Sequence, residues 1–295
     1  MASSQKYWQS TNEAILLQTK KVLNEYLLSL KLANKAEATI TKYCWVLERF
    51  LMECRTPLAD LTSDDVLQWF NDYSPGKKSK TLDLFHSCFT SFFNFCIEED
   101  HMENQVMKKR WRPKIPQALP KYLSQEEYAR VKLAAEDLSL RNRAIVLFFL
   151  SSGCRKTEVS NLNIQDVDVN KRTAEVKGKG GKIRKVHFSE ECSMVLNEYL
   201  KSRSFQETDA LFVTPKGLRL QSKGIYEMIS RFGKKIELSL HPHCFRHTFA
   251  TNMMARGAEI EFIADEMGHA NINTTRVYAR VPTEDMMIAY QNKMG

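Results

Sequence analysis

Six basic residues and three prolines fall between Lys108 and Lys121, with no acidic residue to offset them. Proline has no amide to donate and biases the residue before it away from the helical region, so this stretch is expected to run as an extended connector. Its flanks carry different hydrophobic periods. From Glu13 to about Asp100, the segments "AILLQTKKVLNEYLLSLKL", "AEATITKYCWVLERFLMEC", "DDVLQWFNDY" and "KTLDLFHSCFTSFFNFCIEED" repeat apolar residues at three- and four-residue spacing. The breaks fall at "RTPLADLT" and "YSPGKK". Past the connector, Ser124 and Glu127 form a capping-box pattern, and "RNRAIVLFFLSS" reads as a second helix. The period then shortens to that of strands in "NIQDVDV", "RTAEVKG" and "KIRKVHF", with turns at Asn170-Lys171 and "GKGGK". From Ser189 onward it reads as helical again.

The expected architecture is therefore two domains. Residues 1–107 form an all-helical one, 108–121 a basic linker, and 122–295 a mixed α+β, mostly helical one with a small antiparallel sheet. The last includes a tail, 282–295, in which Pro282 ends one helix and Thr283, Glu284 and Asp285 suit the start of another. The aromatic stripe Phe85, Phe89, Phe92, Phe93 and Phe95 has helical spacing, which favours a buried core over a base-stacking platform.

The formal charge of +8 is compatible with nucleic acid or an anionic membrane as partner, and its distribution says more. Residues 1–120 hold 16 basic and 14 acidic side chains, and residues 121–295 hold 27 and 21. Between Lys171 and Lys185, seven basic residues face Glu175 alone. Seven scattered cysteines without a CxxC pair fit reduced thiols in a cytoplasmic protein better than a disulfide framework. The start of the chain lacks a signal-peptide layout, and "RAIVLFFLSSGC" is too short an apolar run to span a bilayer, so no membrane partner is expected.

The stretch "HPHCFRHTFATNMM", His241 to Met254, concentrates three histidines and an arginine at one helix start. A zinc reading can use His243 and His247 at i and i+4, but no glutamate follows in the HExxH manner and Arg246 sets a fixed cation between them. A polar-cap reading satisfies free backbone donors but leaves the arginine unexplained. A phosphate reading uses His243 and Arg246 on one helix face, and it needs further cations. Arg155 after the glycine of "SSGCRKTEVSNL" and Lys179 in "KGKGGK" can supply them. "EMGHANINTTRVYARV" adds His269 and, nine residues later, Tyr278.

In this order and spacing, Arg155, Lys179, His243-x-x-Arg246, His269 and Tyr278 resemble the tyrosine recombinase (phage integrase) family, and most of all its compact Xer-type members. The resemblance runs through "LPKYLSQEEY", "SGCRKTEVSNL", "GKGGKIRKV", "HCFRHTFATNMM" and "MGHANINTTRVY". It implies a SAM-like helical core-binding domain that contacts DNA, joined to a catalytic domain. It also implies site-specific strand exchange through a 3′-phosphotyrosine and a Holliday junction, on double-stranded DNA carrying recombination sites. Four protomers would form the synapse, with no metal or other cofactor.

Carried over by residue, Tyr278 is the nucleophile, Arg155 and Arg246 bind the non-bridging oxygens, and Lys179 protonates the leaving 5′-oxygen. His243 assists proton transfer at the tyrosine and His269 hydrogen-bonds the phosphate. Glu158 is expected to support the fold or orient Arg155, and His247 to pack or hydrogen-bond behind the site. Lys108, Lys109, Arg110, Arg112, Lys114, Lys177, Lys182 and Arg184 are expected to face DNA. A type IB topoisomerase, with a closely similar active site, and a non-catalytic DNA-binding regulator stand as the rivals.

Overall fold

The computed structural model describes residues 6–115, 120–178, 181–203, 208–269 and 271–280. Two compact units result, Met1–Gln117 and Ala118–Gly295.

In the first unit, α1 (Leu17–Leu32), α2 (Glu37–Glu53), α3 (Ser63–Tyr73) and α4 (Ser79–Glu98) occupy the four periodic segments. Thr62 and Asp65 cap α3 reciprocally, so its first free amides are satisfied locally. Phe85, Phe89, Phe92 and Phe93 on α4 are fully buried and Phe95 packs at the margin, so the aromatic stripe is core. The basic stretch does not begin as a free connector. Lys109–Trp111 form a 3₁₀ turn, Trp111 packs against the helical core, and Arg112 Nε sits 2.7 Å from Asp83 Oδ1.

The second unit is mostly helical around a small sheet. Ser124 and Glu127 cap α5 (Gln125–Ala135) as a reciprocal pair. The apolar run becomes α6 (Leu140–Ser152), whose Ala144 to Leu150 are all buried, as a helix hydrophobic on every side must be. α6 ends on Gly153 at φ +60, and α7 (Lys156–Asn161) follows at once. The strands β1 (Val167–Asp168), β2 (Thr173–Lys177) and β3 (Ile183–His187) pair antiparallel in that order, with Val176 opposite Arg184 and Ala174 opposite Val186. β1 is shorter than its periodic segment, because Ile164–Asp166 turn as a 3₁₀ helix closed by an Asn163–Asp166 capping box.

Four helices follow: α8 (Glu190–Ser202), α9 (Ser222–Lys235), α10 (Pro242–Ala255) and α11 (Ile260–Met267). The helical expectation from Ser189 onward fails at 208–221. There the chain makes isolated bridges, Asn163 with Ala210 and Val213 with Arg219, around a turn in which Gly217 takes φ +78. Pro215 and Gly217 break the helical run locally, and Arg219 donates to the carbonyls of Ser160 and Leu162 at 3.0 Å.

Candidate active site

The site is built where α6, α10 and α11 end or begin. Gly153 turns the chain out of α6 in the left-handed region, and a Cβ there would overlap the Phe249 ring, so only glycine fits. That turn places Arg155 at the N-cap of α7. Glu158, one turn on, accepts from the Arg155 amide at 2.7 Å and from its Nη1 at 2.8 Å. On α10, Pro242 takes the first helical position and the His241 imidazole accepts the Cys244 amide at 3.0 Å. His241 is therefore the helix cap.

Three arginines converge on the C-terminal turn of α11, where helix carbonyls are left free and the helix dipole is negative. Arg246 donates to Met267 O at 2.6 Å and to Gly153 O at 2.5 Å. Arg155 reaches Met267 O at 3.4 Å and Gly268 O at 3.1 Å. Arg184 Nε donates to Glu266 O at 2.9 Å while its two terminal nitrogens grip Glu158 at 2.7 and 3.0 Å. Among the described residues Glu158 is the one carboxylate bonded to this cluster, through Arg155 and Arg184, and the Glu266 carboxylate adds its charge near Arg184. Burial pushes the Glu158 carboxyl up, but hydrogen bonds and charge from Arg184 and Arg155 outweigh it and hold the group below the usual range. Burial, then the Arg155 charge, bring Arg246 down to about 10, so it stays protonated at neutral pH. The result is a partly dry, positively charged cluster suited to a phosphate.

Tyr278 lies at its edge. Only 3% exposed, it places its hydroxyl 2.7 Å from His247 Nδ1. Burial raises the phenol above its ordinary value and Arg246 opposes the rise. Burial and the neighbouring His243, His241 and Arg246 lower His247 to about 4, so it is neutral at pH 7, and its Nδ1 and the tyrosine hydroxyl share one hydrogen bond. His269 is also lowered to about 4, by burial first and then by Arg246 and Arg155, and its Nδ1 lies 2.6 Å from Thr275 Oγ1. His243 is exposed and stands 6.4 Å, ring centre to ring centre, from His247.

Arg155, Arg246, His269 and Tyr278 are thus brought together, with His243 at the rim. Lys179 lies outside the described residues; Gly178 before it lies beside the Glu158 carboxylate. Lys108, Lys109, Arg110, Arg112, Lys114, Lys177 and Lys182 are exposed. Arg184 differs from the solvent-facing role expected of it: its side chain is 12% exposed and turned into the ion cluster. Strand alternation carried the signal, since Arg184 shares the inward parity of the buried Val186. The His247 contact with Tyr278 could not be read from spacing, because 31 residues separate the two. Among the described residues no group of three or more His, Cys, Asp or Glu is arranged to hold a metal ion.

A mostly helical fold with a three-stranded antiparallel sheet, gathering arginines beside a buried tyrosine, is that of a tyrosine recombinase catalytic domain. The chain belongs to the phage integrase family, whose pattern it matches over residues 121–284. It is similar to the tyrosine recombinase XerA of Pyrococcus horikoshii, 32% identical over 275 residues and 92% of each chain. A XerA recombinase crystal structure aligns with 94% of this chain and 99% of its own, at 28% identity and a TM-score of 0.55. The fold also matches that of the XerH site-specific recombinase bound to a palindromic difH substrate after cleavage, with a TM-score of 0.75 at 20% identity, over 97% of this chain and 92% of that one.

Proposed function

We propose that the protein exchanges strands between two double-stranded DNA sites of defined sequence, and that Tyr278 is its nucleophile. The observation that carries this reading is the convergence of Arg155 and Arg246 on one carbonyl, Met267 O, beside the Tyr278–His247 pair. A phosphodiester brought to the two guanidinium groups meets planar donors for both non-bridging oxygens. The Tyr278 oxygen attacks phosphorus, the bond to the 5′-oxygen breaks, and Lys179 supplies the proton that the leaving oxygen needs. The tyrosine proton leaves towards His243 at the rim, past His247, whose Nδ1 meets the hydroxyl at 2.7 Å, and His269 donates to the phosphate. The phosphotyrosine keeps the energy of the broken linkage, so resealing needs no ATP, and the arginines stand where other phosphoryl-transfer enzymes place a metal ion. The exposed cations of residues 108–114 and of the Lys177–Lys182 hairpin face the DNA backbone. Four protomers assemble on paired sites. Seven cysteines, all free, fit a reducing cytoplasm.

The test begins with sites selected from genomic DNA by the purified protein, two copies of which are placed on one circular plasmid. With EDTA and without ATP, the wild-type protein should give recombinant circles and Tyr278→Phe should bind the sites yet give none. Relaxation of supercoils without exchange would make the protein a topoisomerase, and binding alone would make it a regulator.

A further inference from the structure

We infer that Thr275 is a positioning residue: its hydroxyl donates to His269 Nδ1, fixing the imidazole proton on Nε2, where it serves the phosphate. The inference rests on the reading of His269 and Tyr278 given above. Thr275 is fully buried, and its Oγ1 lies 2.6 Å from Nδ1. That ring nitrogen is the hydroxyl's one hydrogen-bond partner among the described residues. A buried hydroxyl with a single partner gives it a hydrogen, because accepting from Nδ1–H would leave its own hydrogen without an acceptor at full desolvation cost. His269 is neutral at pH 7, since burial and the adjoining arginines lower it to about 4, so it carries one ring proton and the tautomer decides which edge donates.

The backbone of the same residue sets the nucleophile. Thr275 O accepts the Tyr278 amide at 2.9 Å, and the Thr275 amide is itself held by Ile272 O at 2.8 Å. The Asn271 side chain closes the start of this turn on the Asn273 amide at 2.9 Å. One residue therefore ties the imidazole that meets the phosphate to the segment that carries the attacking oxygen. Either group misplaced spoils the attack geometry even with the arginines intact.

The experiment compares the full-length wild-type protein with Thr275→Ser, Thr275→Val, His269→Ala and the Thr275→Val/His269→Ala double variant. Single-turnover cleavage of a nicked duplex and binding of the same duplex are measured, and imidazole ¹⁵N NMR reads the His269 tautomer. The wild type and Thr275→Ser should show the Nε2–H form and similar cleavage rates. Thr275→Val should bind DNA normally but cleave about tenfold or more slowly, as when one preorganised donor to developing charge is misdirected. Its defect should vanish in the His269→Ala background, and its His269 should populate the Nδ1–H form. An Nδ1–H tautomer in the wild-type protein overturns the inference, whether or not the valine variant folds. So do wild-type cleavage by Thr275→Val and defects that multiply in the double variant. A His269→Ala protein that cleaves like wild type would instead remove the phosphate role of His269, a separate failure of the reading on which this rests.

Discussion

Arg184 holds more of the site together than any residue that touches DNA in the reaction proposed. Its guanidinium spans Glu158 on α7 and Glu266 O on α11, so it fixes the carboxylate that orients Arg155 and the carbonyl turn that receives Arg246. Arg184→Ala strips the buried Glu158 of its closest cation, and removal of one partner from a buried pair costs about 3 kcal/mol or more. The variant should therefore melt several degrees lower, while the salt dependence of its DNA binding keeps the wild-type slope. Lys177→Ala and Lys182→Ala should do the reverse, each lowering the slope by about one with little change in melting. A shallower slope with an unchanged melt for Arg184→Ala would restore it to the DNA surface. At this scale the candidate cations were legible in the sequence from what a phosphate needs, and the proposed nucleophile only through the family resemblance of order and spacing. The contacts among them were not, since Glu158 with Arg184 and His247 with Tyr278 join residues 26 and 31 apart.

Among the elements, the turns place the chemistry. Gly153 lets α6 stop and α7 start within a few residues, and its own carbonyl accepts Arg246. Gly153→Ala forces a side chain into the left-handed region, at about 1–2 kcal/mol, and also drives a methyl group into the Phe249 ring. We expect a lower Tm and slower cleavage, with both effects measured on one preparation. A melt and a cleavage rate equal to wild type would show that the turn is not constrained as described. Local signals of this kind were legible before the fold: the Ser124–Glu127 capping box, the glycine after α6 and the period change into β2 and β3. What escaped was 208–221, where a turn at Pro215–Gly217 and the Arg219 contacts to Ser160 and Leu162 override an apparently helical stretch. The 3₁₀ turn at the start of the basic stretch is equally hidden, because Trp111 finds a core to pack on that proline content does not reveal.

For the whole molecule, a positive balance weighted towards residues 121–295 matches a catalytic unit that must hold polyanionic DNA while keeping a guanidinium cluster only partly neutralised by Glu158. Lys179 and the tail 282–295 lie outside the described residues; the arginine cluster at Met267–Gly268 and the Tyr278–His247 pair lie within them. Everything proposed for the reaction depends on Tyr278 forming the covalent link to DNA. The direct measurement traps the protein on a nicked suicide duplex, trims the DNA with nuclease, digests with trypsin and locates the nucleotide by mass spectrometry. Cleavage after Arg276 and Arg280 isolates "VYAR", in which Tyr278 is the one hydroxyl-bearing side chain. The nucleotide mass is expected on that peptide. A nucleotide on any other peptide, or no adduct from active protein, would contradict it.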